Sequence, residues 1–378
     1  MYTRKQNIMF NFWTVAVALF LLVSASTSGA QTDLLSTHSE NDETASSSLL
    51  LDVVNTGQRL VSVGERGYII YSDDNGNHWN QAQVPTSVTL TSVYFPTFER
   101  GWAVGHDGIV LHTEDAGKTW KKQLDGYTGH KLSLRHAEKL LSEKMTHRAA
   151  SHPEPDENMD EMIEELQLRI NDIKQIIEND MWGDPLMDVW FKDELKGFVL
   201  GSYGLVYHTS DGGLSWEPWW DKIENPYGLH YYSITEANGV LLIAGESGSL
   251  YRSTDGGQYW QQLVAPTSGS YFGAVSCDNV FFVFGLGGTI AYSNDSGNHW
   301  NLIETEAAGT ISCAAFKDPH TLVVASYSGE ITVISLVNFV SQTSRVGLAW
   351  SGVAVTSDGN IILAGLYGVK LVRFNEIK

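Results

Sequence analysis

Along most of this chain apolar and polar residues alternate in short runs separated by glycine, asparagine, aspartate and serine. Near residue 100 the runs are "LTSVYF" (90–95), "GWAVG" (101–105), "IVLHT" (109–113) and "TWKKQL" (119–124). A period of two sends successive side chains to opposite faces, so each run predicts a half-buried strand and the intervening turn residues predict antiparallel hairpins. The alternation fails in one place. Met159, Ile163, Leu166, Ile170, Ile173 and Ile177 step by 4, 3, 4, 3, 4, a helical heptad seam.

The strands recur with punctuation at fixed offsets. Gly-x-x-Gly turns begin at Gly64, Gly105, Gly201, Gly245 and Gly285, with related turns at Ser326 ("SYSG") and Gly365 ("GLYG"), and the spacings are 41, 96, 44, 40, 41 and 39. Ten residues after each of the first five glycines stands the aspartate of a Ser/Thr-x-Asp-x-Gly-x-x-Trp box: Asp74 with Trp79, Asp115 with Trp120, Asp211 with Trp216, Asp255 with Trp260, and Asp295 with Trp300. A constant offset means one rigid unit copied, and four strands in about 40 residues is the signature of a propeller blade. The predicted fold is all-β, a seven-bladed β-propeller over residues 49–378.

The first box, "SDDNGNHW" (72–79), invites a calcium reading. An EF-hand loop needs an oxygen ligand at position 1 and a glutamate at position 12. With Gly76 as the loop glycine those positions are Tyr71 and Ala82. The box is read instead as a turn in which short side-chain oxygens accept backbone N–H groups, glycine takes positive φ, and tryptophan folds back as an apolar plug. The seventh unit ends after "VKLVRF" with three strands. Residues 31–48 are either a polar leader or the source of a ring-closing fourth strand, around 37–48.

The spacing of 96 inserts residues 126–182 between units 2 and 3. A helix near 130–149 carries Lys131, Arg135, Lys139, Lys144 and Arg148, and "SHPEPDEN" separates it from the acidic seam helix. Opposite charge favours pairing in a helical hairpin. It is either a decoration packed on itself or an arm for a partner. Strand order places it on the face of the Gly-x-x-Gly loops, opposite the boxes.

Composition narrows the setting. Arg4 and Lys5, the apolar run Ile8–Val23 and the small residues ending at Ala30 predict a cleavable signal peptide over 1–30, hence an exported, periplasmic protein not itself inserted in the membrane. Removing those residues takes the net charge from −20 to −22, with 22 basic against 44 acidic groups, which excludes nucleic acid as a partner. The two cysteines, Cys277 and Cys313, occupy non-equivalent places, so a disulfide is not the framework.

Candidate chemistry lies on the loop tips between the paired glycines: Arg66, His106, Asp107, Tyr203, Glu246, Tyr327 and Tyr367. They are either solvated turns or a rim that recognises a protein segment. Trp219 and Trp220 are exposed anchors or packing beneath the hairpin. His112 and His208 are repeat equivalents, as are His78 and His299, which points to blade structure; no metal site and no cofactor is expected. Sialidase chemistry requires three arginines around a carboxylate, and no such trio is found among nine arginines after residue 30. No catalytic residue is assigned. A glycan-binding protein or a glycosidase using Asp107 and Glu246 remains the alternative.

With seven turn units behind a signal peptide, five of them carrying the box as in "GSYGLVYHTSDGGLSW" and "GESGSLYRSTDGGQYW", the chain resembles the photosystem II stability and assembly factor family from about Leu50 to Phe374. That resemblance implies a monomeric BNR/Asp-box propeller, a non-enzymatic scaffold that binds an extracytoplasmic segment of a membrane-protein complex. The family's basic arginine patch does not map onto this acidic chain, and the hairpin is additional. The client is therefore photosystem II or another inner-membrane complex.

Overall fold

The computed structural model describes residues 33–150, 156–181 and 183–377; the expected signal peptide lies outside them. Seven antiparallel sheets follow one another, each a meander in chain order, six with four strands and the last with three. The fold is the expected seven-bladed propeller. Its blades begin with the strands Leu50–Asn55, Leu90–Tyr94, Leu186–Phe191, Tyr231–Ala237, Tyr271–Cys277, Ile311–Asp318 and Trp350–Val355. These first strands neighbour one another all the way round, so they enclose the axis.

The hydrophobic core is divided in the same way. Seven buried clusters each join the facing sides of two consecutive blades, as where Val61, Val63 and Ile69 of blade 1 meet Leu90, Ala103 and Leu111 of blade 2. The cluster of Leu50, Leu60 and Ile70 with Ile362 and Ala364 joins blade 1 to blade 7. Burying both faces of every sheet needs a closed ring, because an isolated four-stranded sheet leaves one face wet.

Closure differs from the fourth-strand expectation. Ser351 Oγ donates to Leu50 O at 2.9 Å and Asn55 Nδ2 to Val355 O at 2.7 Å, tying the first strands of blades 7 and 1. Beside the strand Gly368–Val372 lies a 3-10 turn, Ala45–Ser47, not a strand. The reason is local: Thr44 N donates to Asp42 Oδ1 and Ser48 Oγ to Thr44 O, bonds by which Asp, Ser and Thr compete with a ladder.

The boxes are the turns that their residue types require. Ser72 Oγ donates to Asp74 Oδ1 at 2.8 Å and accepts Gly76 N at 2.9 Å, while Asp74 Oδ1 accepts His78 N at 2.8 Å. The same arrangement recurs around Asp115, Asp211, Asp255 and Asp295. The backbone bond from His78, with the imidazole contact at 2.6 Å, holds the Asp74 carboxyl down at about 2. These carboxylates serve turns between third and fourth strands.

The insertion forms α1 (Gly126–Ala150) and α2 (Glu157–Glu178), with Asp156 capping α2 by accepting Met159 N. The seam works as its period predicts, with Ile170 and Ile173 buried and Arg148 pairing with Asp160 across the helices at 2.8 Å. The hairpin also rests on blade 3: Ser133 Oγ lies 3.2 Å from the Tyr207 hydroxyl, His136 Nε2 lies 2.8 Å from Asp221 Oδ1, and the Arg169 guanidinium lies 3.8 Å over the Trp220 ring.

A candidate docking face around the channel mouth

Each Gly-x-x-Gly turn is built against the start of its own blade. A Cβ on Gly64 would lie 2.1 Å from Leu49 O, and one on Gly105 2.2 Å from Thr89 O. The residue at the tip is left-handed: Arg66 at φ 55, Asp107 at 54, Tyr203 at 53 and Ser247 at 54. Left-handed backbone is costly for residues with a Cβ. The paired hydrogen bonds of the turn, such as Tyr68 N to Glu65 O, hold it there.

Among the tips expected as a rim, Tyr203, Tyr327 and Tyr367 are 62%, 52% and 68% exposed. Arg66 is exposed as well, whereas His106, Asp107 and Glu246 are half-buried. Burial pushes the His106 imidazole pKa down, opposed by the Asp107 charge. Tyr203 and Glu246 meet at a residue not anticipated from sequence, His230. Tyr203 N donates to His230 Nδ1 at 2.9 Å with the rings edge-on at 4.7 Å, and Glu246 Oε2 accepts His230 N at 3.2 Å.

From His230 an aromatic series leads inward. Its ring lies 6.2 Å from Tyr232, which lies 5.1 Å from Phe272. Tyr232 and Phe272 occupy a special position. In all seven blades the pairing of first and second strands shifts register after the first residue, so Leu51, Thr91, Met187, Tyr232, Phe272, Ser312 and Ser351 are bulged. Bulges re-aim side chains. Here they recur at the Gly-x-x-Gly end of the first strand in every blade, around the ring of first strands.

The next ring position holds Asp52 in blade 1 and Asp188 in blade 3. Asp52 Oδ2 accepts Val93 N of blade 2, and Asp188 Oδ2 accepts Ile234 N of blade 4, each at 2.9 Å. Each carboxylate thus staples its blade to the next. Burial, with Asp188 nearby, pushes the Asp52 carboxyl up to about 6; burial raises Asp188 too. Among the described residues no basic side chain pairs with either.

The hairpin springs from this face, as strand order implied. Gly108 N donates to Asp184 O at 3.1 Å, and a Cβ on Gly108 would lie 2.7 Å from Gly126 Cα. His130 and Asp184 lie 3.6 Å apart, and burial drives both toward their uncharged forms.

The tryptophan pair is packing, not anchors. Trp219 is 7% exposed and stacks on His208 at 4.0 Å, and Trp220 lies beneath Arg169 and His136. Cys277 and Cys313 are unpaired. Among the described residues no group of three or more His, Cys, Asp or Glu side chains is placed to hold a metal, and no helix is long and apolar enough to cross a membrane.

A family model described as "Photosynthesis system II assembly factor YCF48" matches residues 33–133 and 173–344. The chain belongs to the YCF48 family. Much of the hairpin falls in the gap between the two matched segments, so the YCF48 pattern is carried by the propeller. One relative, the photosystem II assembly lipoprotein Ycf48 of Synechococcus sp. (strain CC9902), is 34% identical over 24% of this chain and 27% of its own length. Another, the photosystem II assembly protein Ycf48 of Synechococcus sp. (strain JA-2-3B'a(2-13)), is 32% identical over 46% of this chain and 49% of its own. The chain thus matches half or less of the length of these relatives.

Solved structures agree in fold. "YCF48 bound to D1 peptide" aligns at 15% identity with a TM-score of 0.59, covering 87% of this chain and 93% of that one. YCF48 from Cyanidioschyzon merolae aligns at 15% identity with a TM-score of 0.59, covering 88% and 97%. The WD40 propeller domain of Doa1 reaches the same TM-score at 12% identity, covering 89% and 94%, so this likeness speaks to architecture alone.

Proposed function

We propose that this chain is an exported, non-enzymatic assembly factor that docks an extracytoplasmic segment of a membrane-protein complex on its Gly-x-x-Gly face. Membership of the YCF48 family carries the reading, and the solved relative bound to D1 peptide supports a peptide-like segment as the ligand. The rim supplies what such a segment needs: exposed tyrosines at 203, 327 and 367 on rigid turns, with Arg66, His106, Asp107 and Glu246 between them. Export follows from the leader at 1–30, with cleavage after Ala30, and places the monomeric propeller in the periplasm. No cofactor takes part.

The test is crosslinking in intact cells with the tagged chain, comparing wild type with a deletion of 126–182. The expected result is capture of one membrane protein by wild type, with its crosslinks on the Gly-x-x-Gly loops. Loss of capture on deletion makes the hairpin part of the dock; capture without it leaves the rim as the whole dock. A wild-type chain that captures no membrane protein, yet melts higher with saccharide, would replace this reading with glycan binding.

A further inference from the structure

Five of the seven bulged residues do two different things, Leu51 and Met187 being aliphatic. In blades 2, 6 and 7 they are hydroxyls that stitch one blade to the next: Thr91 Oγ1 donates to Leu186 O at 2.7 Å, Ser312 Oγ to Trp350 O at 2.5 Å, and Ser351 Oγ to Leu50 O. In blades 4 and 5 the stitch is replaced by two rings, Tyr232 and Phe272, both half-buried. The preceding residues, Tyr231 and Tyr271, are fully buried between blades, so blade packing already has its aromatic and the second ring is spare. Glu246, at the tip of the blade 4 turn, accepts His230 N at 3.2 Å beside the Tyr232 ring, and burial, with the charges of Glu246 and Tyr327, pushes the Tyr232 hydroxyl up to about 12. Below the rings the first strands carry Asp52, Asp188, Glu236 and Asp318 against Lys317 alone.

Aromatic faces attract cations, more strongly where water is excluded, and a channel walled by protein focuses the field of its carboxylates. We propose that the channel mouth receives a lysine or arginine side chain carried on the docked segment, with Tyr232, Phe272 and Tyr327 around its head group and Glu246, Asp52 and Asp188 as countercharge. The inference rests on the docking reading and adds its chemistry. Asp52 and Asp188 are half-buried at the next position along their first strands, one residue or about 3.3 Å beyond the bulge.

The experiment pans a random heptapeptide library, displayed on phage, against the full chain, with Tyr232→Ala and Tyr327→Ser as counter-selections, and melting curves to verify that both variants are folded. The expected result is at least tenfold enrichment of lysine or arginine at one position on wild type and not on Tyr232→Ala. A synthetic copy of the best peptide should then lose at least tenfold in affinity when its arginine becomes citrulline, or its lysine norleucine. Should Tyr232→Ala not fold, Tyr327→Ser carries the comparison. Enriched peptides without a basic residue, or a neutral analogue binding within twofold, would overturn the cation site and leave docking standing. No enrichment of any sequence on wild type would overturn both.

Discussion

Asp52 and Asp188, on blades 1 and 3, reach the same hydroxyl: Ser92 Oγ of blade 2 lies 3.2 Å from Asp52 Oδ2 and 2.9 Å from Asp188 Oδ1. A serine hydroxyl has one proton to donate. Two ionised carboxylates therefore cannot both be satisfied by it, and one contact becomes a hydrogen bond only when a carboxyl donates. This agrees with the Asp52 carboxyl being pushed up to about 6, first by burial and then by Asp188.

The sign of the pH effect follows. The folded state holds the Asp52 proton more tightly than the unfolded chain, so its contribution to stability is present below about pH 4 and is lost as pH rises through 6. At about 1.4 kcal/mol per pK unit the loss is on the order of 3 kcal/mol. Burial lowers His106, His112, His130 and His208, whose contributions run in the opposite direction as pH falls below about 6.5. A whole-protein melting curve mixes these effects. The carboxyl carbon of Asp52, followed by NMR, should titrate near 6, and a midpoint near 4 would show that the channel is ordinary solvent.

Asp74→Ala removes the acceptor for Ser72 Oγ, His78 N and the His78 ring. The melting temperature should fall by a few degrees while client capture stays at the wild-type level, because the box turns lie at the other end of the blades. Since the carboxyl is held low by those donors, wild type should also lose this advantage as pH falls from about 4 toward 2. Unchanged melting with lost capture would move the binding site to the box face.

Two glycine substitutions separate steric need from backbone preference. Gly105→Ala drives a methyl to 2.2 Å from Thr89 O and 2.7 Å from Leu90 Cα, backbone atoms that cannot yield without parting the blade's first two strands. A loss of 3 kcal/mol or more is expected, roughly the upper range for single substitutions. Gly287→Ala, at φ 66 with open space around it, should cost only about 1 kcal/mol. Urea midpoints measure both, and equal losses would contradict the close approach seen at Gly105.

Much of this molecule is legible in its sequence because the features that specify it are local. The offset from Gly64 to Asp74 is a hairpin of fixed length, and the seam from Met159 to Ile177 is a helix face. Both can be read without knowing what packs against them. The rim tips were legible for the same reason. His230, Tyr232 and Phe272 were not, since their neighbours come from other blades. A trace of them exists in "YYS" (231–233) and "YFG" (271–273), where a second aromatic directly follows the one that the core needs. The Asp52–Ser92–Asp188 bridge joins residues 40 and 96 apart in sequence, and no spacing rule selects them. For residues 37–48 the sequence left a polar leader and a ring-closing strand both open, and local bonds of Asp42, Thr44 and Ser48 favour the 3-10 turn seen beside the last strand.

The hairpin's attachment gives the last prediction. Arg169 of α2 lies over Trp220 at 3.8 Å, and His136 of α1 meets both the Trp220 ring edge-on at 5.4 Å and Asp221 at 2.8 Å. One tryptophan therefore contacts both helices. Burial lowers the Arg169 pKa, so its charge is already costly there and depends on the ring beneath it. Trp220→Ala removes that support and leaves a space that Arg169 cannot fill with apolar atoms. The attachment should weaken by about 1–3 kcal/mol, combining the lost cation–π contact with lost ring burial. Hydrogen exchange should then quicken across α1 and α2, by roughly tenfold for each 1.4 kcal/mol lost, while the second strands, buried between blades over nearly all their length, exchange as before. Equal acceleration in hairpin and blades would mean that Trp220 belongs to the propeller core. No acceleration in the helices would mean that the hairpin is held by its root at Gly126 and Asp184 alone.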